Sequence, residues 1–328
     1  MIPFLKIKHA HHSRVFLLGI VCALLGACHP QTLKPVEKSV VDNLLLLDAA
    51  RLSKSIVAVG DYGYIVISED DGKTWRVIKS PTQSMLNAVF FVDDRHGWAV
   101  GHDAVILRSD DGGETWEQTY SAPDKEAPLL NLWFENAEHG YAFGAYGTFY
   151  ETGDGGKTWK PRKVLESDGH MYALARNSAG RLFLVGEAGT LYRSEDNGET
   201  WQPLPSPYRG SYFGALGLPD GGILIFGLRG HAFRSDSNGD TWTQVDTGTE
   251  VSLMGGKVLA NGVVVLLGGD GVILVSRDSA RTFTRLKHPQ NKTLIAAAPI
   301  GENRIIAFGE PGAFRSEILL DQADSQKP

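Results

Sequence analysis

One motif returns seven times along this 328-residue chain, and its spacing restricts the fold more than any other feature. It runs apolar, apolar, Gly, a short turn, an apolar segment, Ser or Thr, then an acidic turn closing on Thr-Trp. The copies read AVGDYGYIVISEDDGKTW from Ala58, AVGHDAVILRSDDGGETW from Ala99, AFGAYGTFYETGDGGKTW from Ala142 and LVGEAGTLYRSEDNGETW from Leu184. IFGLRGHAFRSDSNGDTW follows from Ile225 and LLGGDGVILVSRDSARTF from Leu266, and a truncated AFGEPGAFRSEILL begins at Ala307. The lead glycines Gly60, Gly101, Gly144, Gly186, Gly227, Gly268 and Gly309 are 41, 43, 42, 41, 41 and 41 residues apart. A period near 42 made of short apolar runs is the length of one four-stranded propeller blade. In the second copy the inner strand falls at Leu86–Phe91, followed by strands at 97–100, 105–108 and 116–119. The spacing therefore predicts an all-β chain, a seven-bladed β-propeller of four-stranded antiparallel blades over residues 41–322, with a tail at 323–328. Length alone would suggest two domains; one closed ring accounts for nearly all of the chain instead.

The turn between the third and outer strands is an Asp box, Ser/Thr-x-Asp-x-Gly-x-Thr-Trp. Asp70, Asp111, Asp154, Asp196 and Asp278 are expected to accept N–H bonds within their own turns, as Asx turns do. The Gly permits positive φ. Trp75, Trp116, Trp159, Trp201 and Trp242 are placed to cover the gap between blades. The box decays along the chain: Ser237 replaces Asp in the fifth copy, Ala280 replaces Gly in the sixth, and the seventh has no box. The last blade then keeps strands at 294–298, 304–308 and 313–315. Its outer strand has to come from 318–320 or from the N-terminal stretch 36–41.

The N-terminus reads as an export signal over residues 1–27. Lys6, Lys8 and Arg14 precede an 11-residue apolar run, VFLLGIVCALL at 15–25. That is the length of a signal h-region and too short for a bilayer span of roughly 20 residues. The run ends Leu25-Gly26-Ala27-Cys28, a lipobox in which Cys28 would be lipidated and become the first mature residue. Residues 28–40, with Pro30 and Pro35, read as a tether. His29 follows the cysteine where an Asp would signal inner-membrane retention, so the expected place is the periplasmic side of a bacterial membrane, the outer one favoured. Anchoring by acyl chains attaches a protein to a membrane without spanning it. Cleavage turns a formal net charge of −6 into −9, with 29 basic and 38 acidic residues left, and no footprint for nucleic acid.

The segments VFFVDDRHGWAVGHDAVILRSDDGGETW (89–116) and LWFENAEHGYAFGAYGTFYETGDGGKTW (132–159) resemble the photosystem II stability/assembly factor family. The resemblance runs over roughly residues 41–320. It implies a seven-bladed propeller with Asp-box (BNR) repeats, lipid-anchored in cyanobacteria and lumenal in plastids, that binds a membrane or periplasmic protein and assists its assembly. No catalytic activity and no cofactor are expected, and a monomer suffices.

Asp boxes also occur in sialidases and other glycoside hydrolases, so a glycan-binding or glycan-cleaving ring is the alternative reading. Such chemistry needs two carboxylates at set separations. Asp103, Glu187, Asp270 and Glu310 lie on equivalent loops and could converge on the channel, whereas the early Arg-Ile-Pro of sialidases is absent. Arg108, Arg193, Arg234 and Arg315 recur at one blade position, which marks scaffold rather than a site. The mature histidines show no metal-ligand spacing. What remains is a face where the second-to-third strand loops meet the blade-to-blade loops, and loops on a rigid scaffold tend to carry function. Its candidate partner-binding residues are Tyr62, His102, Asp103, Tyr146, Glu187, Tyr208, Arg209, Arg229 and Asp270, with Tyr and Arg favoured as interface anchors.

Overall fold

The computed structural model describes residues 41, 43–288, 291–310 and 317–321. Cys28, the leader and the tether lie outside the described residues. Six antiparallel four-stranded blades follow one another at residues 46–78, 86–120, 129–161, 171–203, 212–245 and 253–287. In each, the strands pair in sequence order from the inner strand outward. The second strand, such as Ile56–Gly60 or Gly97–Gly101, is buried along its whole length. It is sandwiched between neighbouring blades and reads as an unbroken apolar run. Each inner strand packs against the inner strands of both neighbours, and Leu294–Pro299 returns against Leu46–Arg51 to close the ring.

The expectation of seven four-stranded blades is corrected here: the structure has six four-stranded blades, not seven. The last sheet holds three strands among the described residues, Leu294–Pro299, Arg304–Gly309 and Glu317–Leu319. Glu317–Leu319 pairs directly with Arg304–Gly309 and so takes the third place. That overturns the option of 318–320 as an outer strand. The expected strands at 313–315 and 36–40 lie outside the described residues. The seventh copy has lost the Asp box that in the other copies turns the third strand into the outer one.

The lead glycines have a single cause. The first pair of strands in every sheet carries a register shift, as between Leu46 and Asp48 or between Leu86 and Ala88. The bulge brings the carbonyl of the residue before the inner strand onto the lead glycine. A Cβ on Gly60 would stand 2.0 Å from the Leu45 oxygen, and one on Gly101 1.9 Å from that of Met85. The same carbonyl accepts the next N–H, from Asp61 at 3.0 Å and from His102 at 2.9 Å. Backbone approach, not left-handed φ, makes Gly obligatory at this position.

The Asp boxes form as their residue types require. In the third blade the Thr158 N–H and hydroxyl donate to the two Asp154 oxygens at 2.9 and 2.6 Å, and the Gly156 N–H donates to Thr152 Oγ1 at 2.8 Å. The Trp159 indole donates to the Gly156 carbonyl at 3.1 Å. A Cβ on Gly156, whose φ is +82°, would lie 2.6 Å from Trp98 Nε1 in the preceding blade. The box thus locks its turn and seats it on the neighbour. In the fifth copy the Ser237 hydroxyl takes the place of the carboxylate, accepting the Thr241 N–H at 2.9 Å. In the sixth, Ala280 keeps a positive φ of 61° and packs in the cluster that holds Leu224, where the other blades mostly present an aromatic ring. The repeated arginines also join blades: Arg193 donates to the Asn238 carbonyl at 2.8 Å, and Arg234 to that of Ser279. At the closure, Trp75 meets Phe308 edge-on at 5.9 Å.

Bonds from the Thr158 hydroxyl and N–H, and from Thr152, hold the Asp154 carboxyl at about 2, below the usual carboxylate value of 3.8. A depressed carboxylate stabilises the fold above its unfolded pKa, and that contribution is lost as pH falls through the folded value. Asp154→Ala should therefore lower Tm by about 2–4 °C at pH 7, the shift expected for roughly 1 kcal/mol in a chain of this size. Thermal melts across pH should show the gap to the parent closing between pH 4 and 2.

Candidate functional site: the loop-tip face

The second-to-third strand connection is a single 3₁₀ turn in five of the six blades and a tight turn at 145–147 in the third, at the end of the sheet opposite the Asp boxes. Their middle residues are left-handed: Tyr62 (φ 52°), Asp103 (58°), Tyr146 (54°), Ala188 (50°), Arg229 (56°) and Asp270 (51°). Five of the candidate partner-binding residues therefore share one structural position at successive loop tips. Each left-handed non-glycine residue costs of order 1–3 kcal/mol. The fold holds them there because the turn is pinned at both ends, by the lead-glycine contact and by the blade-to-blade loop beside it. In the first blade a Cβ on Gly63 would lie 2.3 Å from the Thr82 oxygen. Tyr62 and Tyr146 are the exposed large apolar side chains among the described residues, at 76% and 61%.

The acidic tips are tied to their neighbours by neutral donors. Ser84 donates to Asp103 Oδ2 at 2.6 Å, and the His170 N–H to Glu187 Oε1 at 3.0 Å. Thr293 donates its N–H and hydroxyl to Glu310 at 3.1 and 3.0 Å. These carboxylates brace the loops. The Asp-box carboxylates are likewise occupied by their own turns, on the opposite face. Among the described residues no group of three His, Cys, Asp or Glu side chains is placed to hold a metal ion.

The structure separates Tyr208 from the other candidates. Its ring lies 4.2 Å from that of His231 and 6.2 Å from those of Tyr212 and Phe233, so it packs between the fourth and fifth blades. Arg209, His102 and Arg229 are exposed on the loop-tip face. An aromatic arc leads inward from Tyr146. Its ring meets His170 edge-on at 5.0 Å; His170 lies 6.3 Å from Tyr172, and Tyr172 5.4 Å from Phe213. Tyr172 and Phe213 line the central channel. Burial raises the Tyr172 hydroxyl above its ordinary pKa, and the Glu187 charge adds to the shift. Sequence reasoning missed this arc. Its signal was an aromatic at the second inner-strand position, which only the pairing register identifies as facing the channel.

A family model described as "Photosynthesis system II assembly factor YCF48" matches residues 67–128 and 119–250, more than half of the chain. Photosystem II assembly protein Ycf48 of Thermosynechococcus vestitus is 40% identical over 47 residues, 14% of this chain and 14% of that protein. Photosystem II stability/assembly factor HCF136 of Cyanidioschyzon merolae is 37% identical over 67 residues, 20% of this chain and 15% of that protein. The matched segments thus span only about a seventh of these curated relatives. A solved structure titled "YCF48 bound to D1 peptide" superposes with a TM-score of 0.67 at 22% identity, covering 82% of this chain and 90% of that one. That likeness shows the propeller fold. The family match, resting on the Asp-box blades in the middle of the ring, establishes that this chain belongs to the photosynthesis system II assembly factor YCF48 family.

Proposed function

We propose that the chain is a non-catalytic, lipid-anchored ring on the periplasmic side of a membrane, and that it holds a segment of a membrane or periplasmic protein on its loop-tip face during assembly. The observation that carries this reading is the pair of strained, exposed tyrosines, Tyr62 and Tyr146, at equivalent tips of a rigid scaffold. Aromatic side chains of this kind are the anchors that dominate interface energies. Family membership supports an assembly role, and the related YCF48 structure, by its title, holds a peptide of D1. Attachment through Cys28 would keep the ring near membrane-inserted partners. A single acyl chain binds membranes only marginally, so two or more chains on one cysteine suit the task.

Two outcomes test the assignment. Tyr62→Gly should raise the stability of the ring by about 1 kcal/mol, because glycine adopts the left-handed tip without strain, while weakening partner capture. A fall in Tm would show that the ring of Tyr62 serves the fold. Replacing Tyr62 and Tyr146 together by Ala should reduce partner recovery from crosslinked membranes more than tenfold, as the loss of interface anchors of about 2 kcal/mol each implies. Cys28→Ser should move the chain into the soluble fraction, and unchanged membrane retention would remove the anchor from the account.

A further inference from the structure

The ring axis holds a cavity of about 410 Å³, lined by the inner strands of all six blades and of the last sheet. That is the size of a small-molecule site. Repeats allow each lining position to be compared with its equivalents. At the fifth inner-strand position stand Ala50, Phe90, Trp133, Ala175, Leu216 and Ala298, but the sixth blade places Lys257 there. At the third position stand three alanines, two glycines and Asn131, but the first blade places Asp48 there. An uncharged residue therefore satisfies the packing at both registers, and the two charges answer some other demand. Among the described residues that line the cavity, they are its one ammonium and its one carboxylate.

Both groups keep bonding capacity. Asp48 accepts the Ala49 N–H on Oδ1 at 2.8 Å and the Val89 N–H on Oδ2 at 2.9 Å. Those bonds fix the carboxylate across the first two blades and leave each oxygen a further lone pair. Lys257 feels the Asp48 charge yet donates no hydrogen bond and forms no ion pair among the described residues, so its three donors are open. Burial pushes Asp48 up to about 6, with the Val89 N–H and the Lys257 charge opposing. Beside the charges the wall is small at Gly214 and Gly256 and aromatic at Tyr172 and Phe213.

We infer that this channel is a binding site for an amino-acid-sized zwitterion, with its carboxylate on Lys257, its ammonium on Asp48 and its apolar side chain against Tyr172 and Phe213. A simple anion would meet repulsion from Asp48, and a simple cation from Lys257. A molecule carrying both charges satisfies the pair, and the cavity volume admits its body. The site is separate from the loop tips and stands whether or not they bind a protein.

Calorimetric titration of the full-length protein with L-phenylalanine and L-leucine tests this. At least one should bind, and its N-acetyl and C-terminal amide derivatives, each lacking one charge, should bind at least tenfold more weakly. Lys257→Leu and Asp48→Asn restore residue types that other blades carry and should each weaken binding at least tenfold. Thermal melts of both variants should stay within a few degrees of the parent; if one fails to fold, the other and the blocked ligands still decide. Absence of binding by both amino acids, or equal binding of the blocked derivatives, overturns the site.

Discussion

At the start of every sheet a main-chain carbonyl presses on a glycine and accepts the N–H that follows it. From Leu45 on Gly60 to Thr293 on Gly309 the added Cβ would fall between 1.9 and 2.4 Å from that oxygen. The contact exists because the inner strand bulges by one residue, and the bulge turns the skipped residue toward the axis. One local geometry thereby sets three things: the glycine period, the lining of the channel, and the anchorage of each loop tip. Its repetition in the last sheet, which lacks an outer strand among the described residues, shows that it belongs to the inner half of the fold and does not need the Asp box.

The outer half depends on the boxes and on what they rest against. A box turn presents glycine to the second strand of the preceding blade, at Val57, Trp98, Tyr141, Phe183 and, across the closure, Ile306. Trp98 and Tyr141 answer by donating to box carbonyls at Gly155 and Asn197, at 2.9 and 2.6 Å. These seams are tightly packed and aromatic on one side of the ring. The rigidity they give is what allows left-handed tyrosines to persist at the opposite end of the sheets. Stability and display are thus assigned to opposite faces of the same blades.

Much of this was legible in the residues. The glycine period located the inner strand of the second blade at its observed bounds, and the Asp-box pattern predicted the bonds of its carboxylates, whereas Ser237, read as decay of the box, still accepts the Thr241 N–H. The candidates Tyr62, Asp103, Tyr146, Arg229 and Asp270 fall on one position because a loop of fixed length follows each lead glycine. The blade count was not legible, because a truncated repeat looks the same whether or not a further strand completes it. Tyr208 was read as a partner-binding residue, and nothing local in the sequence reveals that its ring also packs on His231 of the next blade. Asp48 and Lys257 were invisible for a related reason. Which inner-strand residues face the axis depends on a bulge, and the bulge shows only in the pairing register.

The central claim is that the loop-tip face receives a protein partner while the Asp-box face holds the ring together. Site-specific photocrosslinking in native membranes tests it most directly, with a photoreactive residue at position 62 or 146 on one face and at position 114 or 157 on the other. The account predicts one defined adduct from positions 62 and 146 and none from 114 and 157. Adducts confined to positions 114 and 157 would contradict it.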